Sequence, residues 1–122
     1  MRVTEIDFSG PPPIDAYGGG GFRLSGAFHE GGLLLTPSGA ARWPVSGAPA
    51  ETDFAAVIAE AAAIDVLLIG MGAEIAPLDR AARRALESAG IGAEIMSTGS
   101  ACRTYNVLLS EGRRVAAALI AV

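Results

Sequence analysis

The chain has 122 residues, 51% of them hydrophobic and 18% charged, and a net charge of −4, which suits about one domain with a buried core and is too apolar for disorder. All nine basic residues are arginine; the lack of lysine excludes Schiff-base chemistry, the phosphate-binding lysine of a P-loop and a lysine general base. Residues 1–65 hold three arginines against eight carboxylates and residues 66–122 six against five, so no basic stripe offers itself to nucleic acid. The longest apolar run, "VAAALIAV" at 115–122, is too short to span a bilayer. A single cysteine suits a reducing compartment and the acidic start "MRVTEIDFSG" does not read as a signal peptide, so a soluble, cytoplasmic protein is expected.

In chain order, "RVTEIDF" alternates as a strand and "GPPP" at 10–13 ends it, because consecutive prolines donate no ladder hydrogen bonds. Two strands follow, over 22–28 and 33–36, joined by a tight turn at His29-Glu30-Gly31-Gly32. "AARWPV" is a third short strand ending at Pro44, and the brief connections make these strands antiparallel. From residue 52 the period changes to 3.6: Phe54, Val57, Ile58, Ala61 and Ala62 share a helix face, with Thr52 as N-cap. "VLLIG" at 66–70 reads as a strand buried on both faces. A helix over 77–90 starts with Pro77 in its first turn and stops at Gly90; "AEIM" at 93–96 is a strand. A third helix runs through "TGSACRTYNVLLSEG" to Gly112, and a last interior strand closes the chain. The expected fold is α/β in a single domain over 1–122, with antiparallel N-terminal strands followed by a parallel β-α-β-α-β unit.

Chemistry-bearing residues gather near two places. Gly70 and Gly72 follow a buried strand, where a dinucleotide fold has its glycine turn, but Ile75 occupies the third glycine position and Pro77 delays the helix. Close packing or positive φ accounts for both glycines, although that sheet edge is also where small ligands bind. Cys102 stands near a helix start beside Arg103, an arrangement that lowers a thiol pKa, with Thr98 or Ser100 as N-cap. The other account makes Cys102 a small buried apolar residue on the face of Ala101, Tyr105 and Leu109. The helix start and Arg103 could hold an anion, and Asn106 could bond a neighbouring loop backbone. Thus Gly70, Gly72, Thr98, Cys102, Arg103 and Asn106 are candidate ligand-binding residues, while no catalytic set, metal site or cofactor is expected. Arg80, Arg83 and Arg84 crowd one side of the second helix, as a wet face or a docking patch for a protein partner.

"IDAYGGGGFRLSG", "LLIGMG" and "TYNVLLSEGRRVAAALI", in this order and spacing, carry a resemblance over most of the chain. The chain resembles a family of uncharacterised small α/β domains that includes the mitochondrial NADH:ubiquinone oxidoreductase (complex I) assembly factor 3. The resemblance implies a three-layer β/β/α fold and a non-catalytic accessory role exerted through protein partners, complex I subunits or other assembly factors among them. It supplies no catalytic residues. The alternative is a small-ligand-binding protein or thiol enzyme using the crevice near Gly70, Gly72 and Cys102. An exposed edge among the antiparallel strands would favour a homodimer.

Overall fold

The computed structural model describes residues 5–6 and 11–122. In chain order its strands are β1 (Glu5–Ile6), β2 (Ala16–Gly18), β3 (Gly21–Leu24), β4 (Ala27–Glu30), β5 (Leu33–Thr36) and β6 (Gly39–Arg42). Then come helix α1 (Ala55–Ala59) between two 3-10 turns, β7 (Val66–Gly70), α2 (Arg80–Ser88), β8 (Gly92–Met96), α3 (Thr98–Ser110) and β9 (Val115–Leu119). Six strands form one sheet in the order β1-β6-β5-β9-β7-β8, and β2-β3-β4 form a second, antiparallel sheet. In the large sheet β9 pairs antiparallel with β5 and parallel with β7, and β8 pairs parallel with β7. The expected parallel β-α-β-α-β unit is therefore present, and of the antiparallel strands before it β1, β5 and β6 join it in one mixed sheet while β2, β3 and β4 stand in the other.

Alternation along the central strands sorts the core into two halves. Leu67, Ile69, Ala116 and Ala118 face Phe54, Val57, Ala82 and Leu86 on one side of the large sheet. Leu68, Ala117 and Leu119 face Phe22, Leu24, Ala101, Cys102 and Tyr105 on the other. The result is three layers, with α1 and α2 on one face and the small sheet and α3 together on the opposite face. All five residues of β9 are buried, and its run of three alanines leaves room for covering elements on both faces.

The structure corrects four local expectations. The strand expected over 22–28 is a hairpin, β3 turning into β4 at Ser25-Gly26, where φ is +50° and +83°. Two adjacent positive φ values match the right-handed twist of the flanking strands. Consequently His29 and Glu30 belong to β4, and β4 and β5 lie in different sheets instead of forming a hairpin. The helix expected from Thr52 is only five residues of α1 flanked by 3-10 turns, and Thr52 caps nothing: the first turn begins after Ala50, whose N–H donates to the Asp53 carboxylate at 2.7 Å. Pro77 precedes α2, which is capped by Asp79 accepting from the Ala82 N–H at 3.0 Å. Of the strand expected over 2–8, only Glu5–Ile6 fall within the described residues.

Candidate functional site

At the carboxyl edge of β7, the glycines and Thr98 are joined to one another. The Gly72 N–H donates to Thr98 Oγ1 at 3.0 Å, the Thr98 hydroxyl donates to the Ile120 carbonyl at 2.7 Å, and the Thr98 N–H donates to the Gly72 carbonyl at 2.8 Å. Thr98 is fully buried. A Cβ on Gly70 would stand 2.9 Å from Thr98 Cα and Oγ1, so glycine is required there for the helix start to approach the strand end. Gly72 has φ +105°, which also favours glycine. The side chain of Thr98 thereby occupies the place between β7 and α3 where the alternative reading put a ligand crevice, and it ties the ends of β7 and β9 to the first turn of α3.

The helix N-cap is Ser97, not Thr98 or Ser100: its hydroxyl accepts from the Ser100 N–H at 3.3 Å. The Ala101 N–H already donates to the Ser97 carbonyl at 2.9 Å, so Cys102 is two residues beyond the last of the four amides that a helix leaves unpaired. It is 3% exposed, and burial pushes its thiol from the usual 9.0 up to about 12, with Arg103 pulling weakly the other way. Desolvation outweighs the neighbouring charge, so the thiol is neutral at physiological pH. His29 is on β4, two strands across the small sheet from β2. The packing account of Cys102 fits this environment.

Further along α3, Asn106 uses both ends of its amide on one residue. Its Oδ1 accepts from the Ile14 N–H and its Nδ2 donates to the Ile14 carbonyl, each at 2.8 Å. One residue back, the Tyr105 hydroxyl donates to the Pro12 carbonyl at 3.3 Å. The helix thus fastens the segment that leads into β2, the loop-backbone use expected of a buried polar side chain. Between them lies a cavity of about 270 Å³ lined by Asp15, Tyr17, Cys102, Arg103 and Asn106, among others. Arg103 is exposed and donates to the Tyr17 hydroxyl at 3.2 Å and to Ser100 Oγ at 3.3 Å. Tyr17 escaped the sequence reading. Its hydroxyl lies over the first turn of α3, where a Cβ on Gly99 would come within 2.5 Å of it. The glycine at 99 was the available signal, since that close approach needs a missing side chain.

Cys102, Arg103 and Asn106 thus share one cavity, and Gly70, Gly72 and Thr98 form a separate, filled contact. The three α2 arginines stand apart from both. Arg83 reaches the edge of β8, donating to the Ala93 carbonyl at 3.4 Å, and lies 3.9 Å from Glu87. Arg80 and Arg84 are exposed, and among the described residues neither has a carboxylate within ion-pair distance. Among the described residues no three His, Cys, Asp or Glu side chains cluster to hold a metal, and no helix is long and apolar enough to cross a membrane.

Three comparisons bear on this chain. The model of a family described as "Protein of unknown function (DUF498/DUF598)" matches residues 14–120. An uncharacterised protein of Rhodobacter capsulatus is 51% identical over 120 residues, covering 98% of this chain and 93% of that one. The NADH dehydrogenase [ubiquinone] 1 alpha subcomplex assembly factor 3 of Rattus norvegicus is 32% identical over 122 residues; the match takes in 98% of this chain but only 66% of the rat protein's length. Among solved structures, a Bartonella henselae protein described as an outer membrane protein superposes with a TM-score of 0.92 at 45% identity, over 95% of this chain and 99% of that one.

Proposed function

The chain belongs to the DUF498/DUF598 family, and from that premise we propose that it is a non-catalytic accessory protein that binds protein partners during assembly of respiratory complex I. The observation that carries this reading is the 32% identity to an assembly factor of that complex along 98% of the chain. The internal chemistry supports it. The thiol is buried and neutral, and the Thr98 hydroxyl and Asn106 amide are engaged by backbone. A thiol enzyme would need the opposite: an exposed sulfur with a lowered pKa and a base held nearby.

Deletion of the gene in a host that makes complex I tests the proposal. Assembled complex I and NADH:quinone activity in the membranes should fall and return when the intact gene is supplied. In the complemented strain a tagged copy is expected in the cytoplasmic fraction. Unchanged complex I in the deletion strain would overturn the assembly role, and recovery of the tagged copy in the outer membrane would overturn the cytoplasmic placement.

A further inference from the structure

The outer side of β8, a strand of five residues, is an edge to which no described strand pairs. β8 is the last strand of the large sheet. Its pairing with β7 fixes which backbone groups point away: the Gly92 N–H donates to the Asp65 carbonyl at 3.0 Å and the Met96 carbonyl accepts from the Met71 N–H at 2.8 Å. In a parallel ladder alternate residues face opposite sides, so Gly92, Glu94 and Met96 point their backbone groups to β7. Ala93 and Ile95 therefore turn their N–H and C=O groups outward, and among the described residues the only partner recorded for them is Arg83, at 3.4 Å from the Ala93 carbonyl. Natural edges are blunted by proline, lysine, bulges or a covering element. The sequence Gly92-Ala93-Glu94-Ile95-Met96 has no proline or lysine.

Arginines crowd this edge although the chain as a whole is acidic. On a protein of net charge −4, α2 places Arg80, Arg83 and Arg84 within five residues, and α2 packs against the Ala93/Ile95 face of β8. The carboxylates nearby are Asp79, Glu87 and Glu94. Asp79 caps α2, Glu87 is 3.9 Å from Arg83, and Glu94 is exposed on the strand itself. Arg80 and Arg84 remain without a carboxylate among the described residues.

We infer that the outer edge of β8 receives an extended, acidic segment of a protein partner, which adds to the sheet as a seventh strand and sets its carboxylates against Arg80, Arg83 and Arg84. This deepens the assembly-factor reading and rests on it. Strand addition draws affinity from backbone hydrogen bonds and specificity from alternate side chains. Here the alternate side chains on the α2 side meet the arginines. The long bond from Arg83 to Ala93 is exchanged for a partner carboxylate as the Ala93 carbonyl takes a backbone N–H. A second copy of this chain is the poorer occupant, because pairing β8 with itself about a two-fold axis would set the arginines of one α2 against those of the other.

The test places a photo-crosslinking amino acid at Glu94 of the full chain in its native host and maps the crosslinked peptide by mass spectrometry. The expected product joins position 94 to an extended segment rich in Asp and Glu in another protein. Its yield should fall on the order of tenfold in Ala93→Pro, which removes an outward N–H at a position where an edge strand tolerates proline, and similarly in Arg80→Glu/Arg84→Glu, which lies wholly on the exposed face. Circular dichroism of both variants separates loss of binding from loss of fold. No crosslink, a crosslink to a second copy, a crosslink to a basic or helical segment, or yields indifferent to both variants would each overturn the inference. The two readings fail separately: complex I that depends on the gene without this crosslink removes only the docking edge. The crosslink in a host whose complex I ignores the deletion removes only the assembly role.

Discussion

Thr98 shows how one side chain can decide whether a sheet edge is a site or a joint. Its hydroxyl accepts from Gly72 and donates to Ile120, and it has no exposure to water. Thr98→Val keeps the shape and removes both bonds, leaving a buried N–H and a carbonyl unpaired. A loss of about 1–3 kcal/mol is expected, read as a lower urea midpoint with an unchanged slope. A variant as stable as the parent would mean that the edge can open, and the crevice would again be open to a ligand. The residue types at this joint were legible from sequence, but their use was not. A threonine at a helix start reads equally as a cap, an anion ligand or a bridge between strand ends, and only the position of Gly72 and Ile120 in space separates the three.

At the scale of elements, α3 acts as a clasp for the chain entering β2. Asn106 holds both polar backbone groups of Ile14 across 92 residues of sequence, and Tyr105 holds Pro12. In Asn106→Ala, hydrogen exchange at the Ile14 amide is expected to speed up by at least about tenfold, the equivalent of one lost bond of roughly 1.4 kcal/mol. Exchange in β7 should stay as it was. Equal acceleration in both places would indicate global destabilisation and no local clasp. The elements that sequence placed well, β7, β8, α3 and β9, are those whose burial is set by an uninterrupted period. The misread ones depend on single residues. Ser25-Gly26 hides a turn inside an apparently alternating run, because serine rarely accepts a positive φ and gives only a weak turn signal. The helix expected from Thr52 shrinks because tertiary bonds claim its ends. Trp43 Nε1 donates to the Asp53 carbonyl at 2.8 Å, and Glu60 is held by the backbone N–H and hydroxyl of Ser38.

For the molecule as a whole, the half of the core between the large sheet and the layer of α3 and the small sheet contains two groups that must stay neutral, which makes stability depend on alkaline pH. Cys102 ionises at about 12 in the folded chain against 9.0 when solvated, and burial raises Tyr105 above its usual 10.0. A raised folded-state pKa on an acid that is neutral when protonated means that the unfolded chain loses its proton first as pH rises. Stability from Cys102 is therefore complete below pH 9 and declines from there toward pH 12, by about 1.4 kcal/mol for each pH unit. Tyr105 adds a second loss above pH 10. Urea unfolding followed from pH 7 to 10.5 should show a plateau, then a fall beginning near pH 9 that steepens past pH 10. Cys102→Ala is the control that assigns the first part. Whatever the variant loses in packing shifts its whole curve, but the decline between pH 9 and 10 should disappear while the one above pH 10 persists. If parent and variant lose stability in parallel over that first unit, the thiol is not the titrating group and its burial does not govern the alkaline limit. The same burial that produces this dependence keeps Cys102 out of nucleophilic chemistry at neutral pH, so the core's alkaline limit and the non-catalytic reading of the protein have one physical origin.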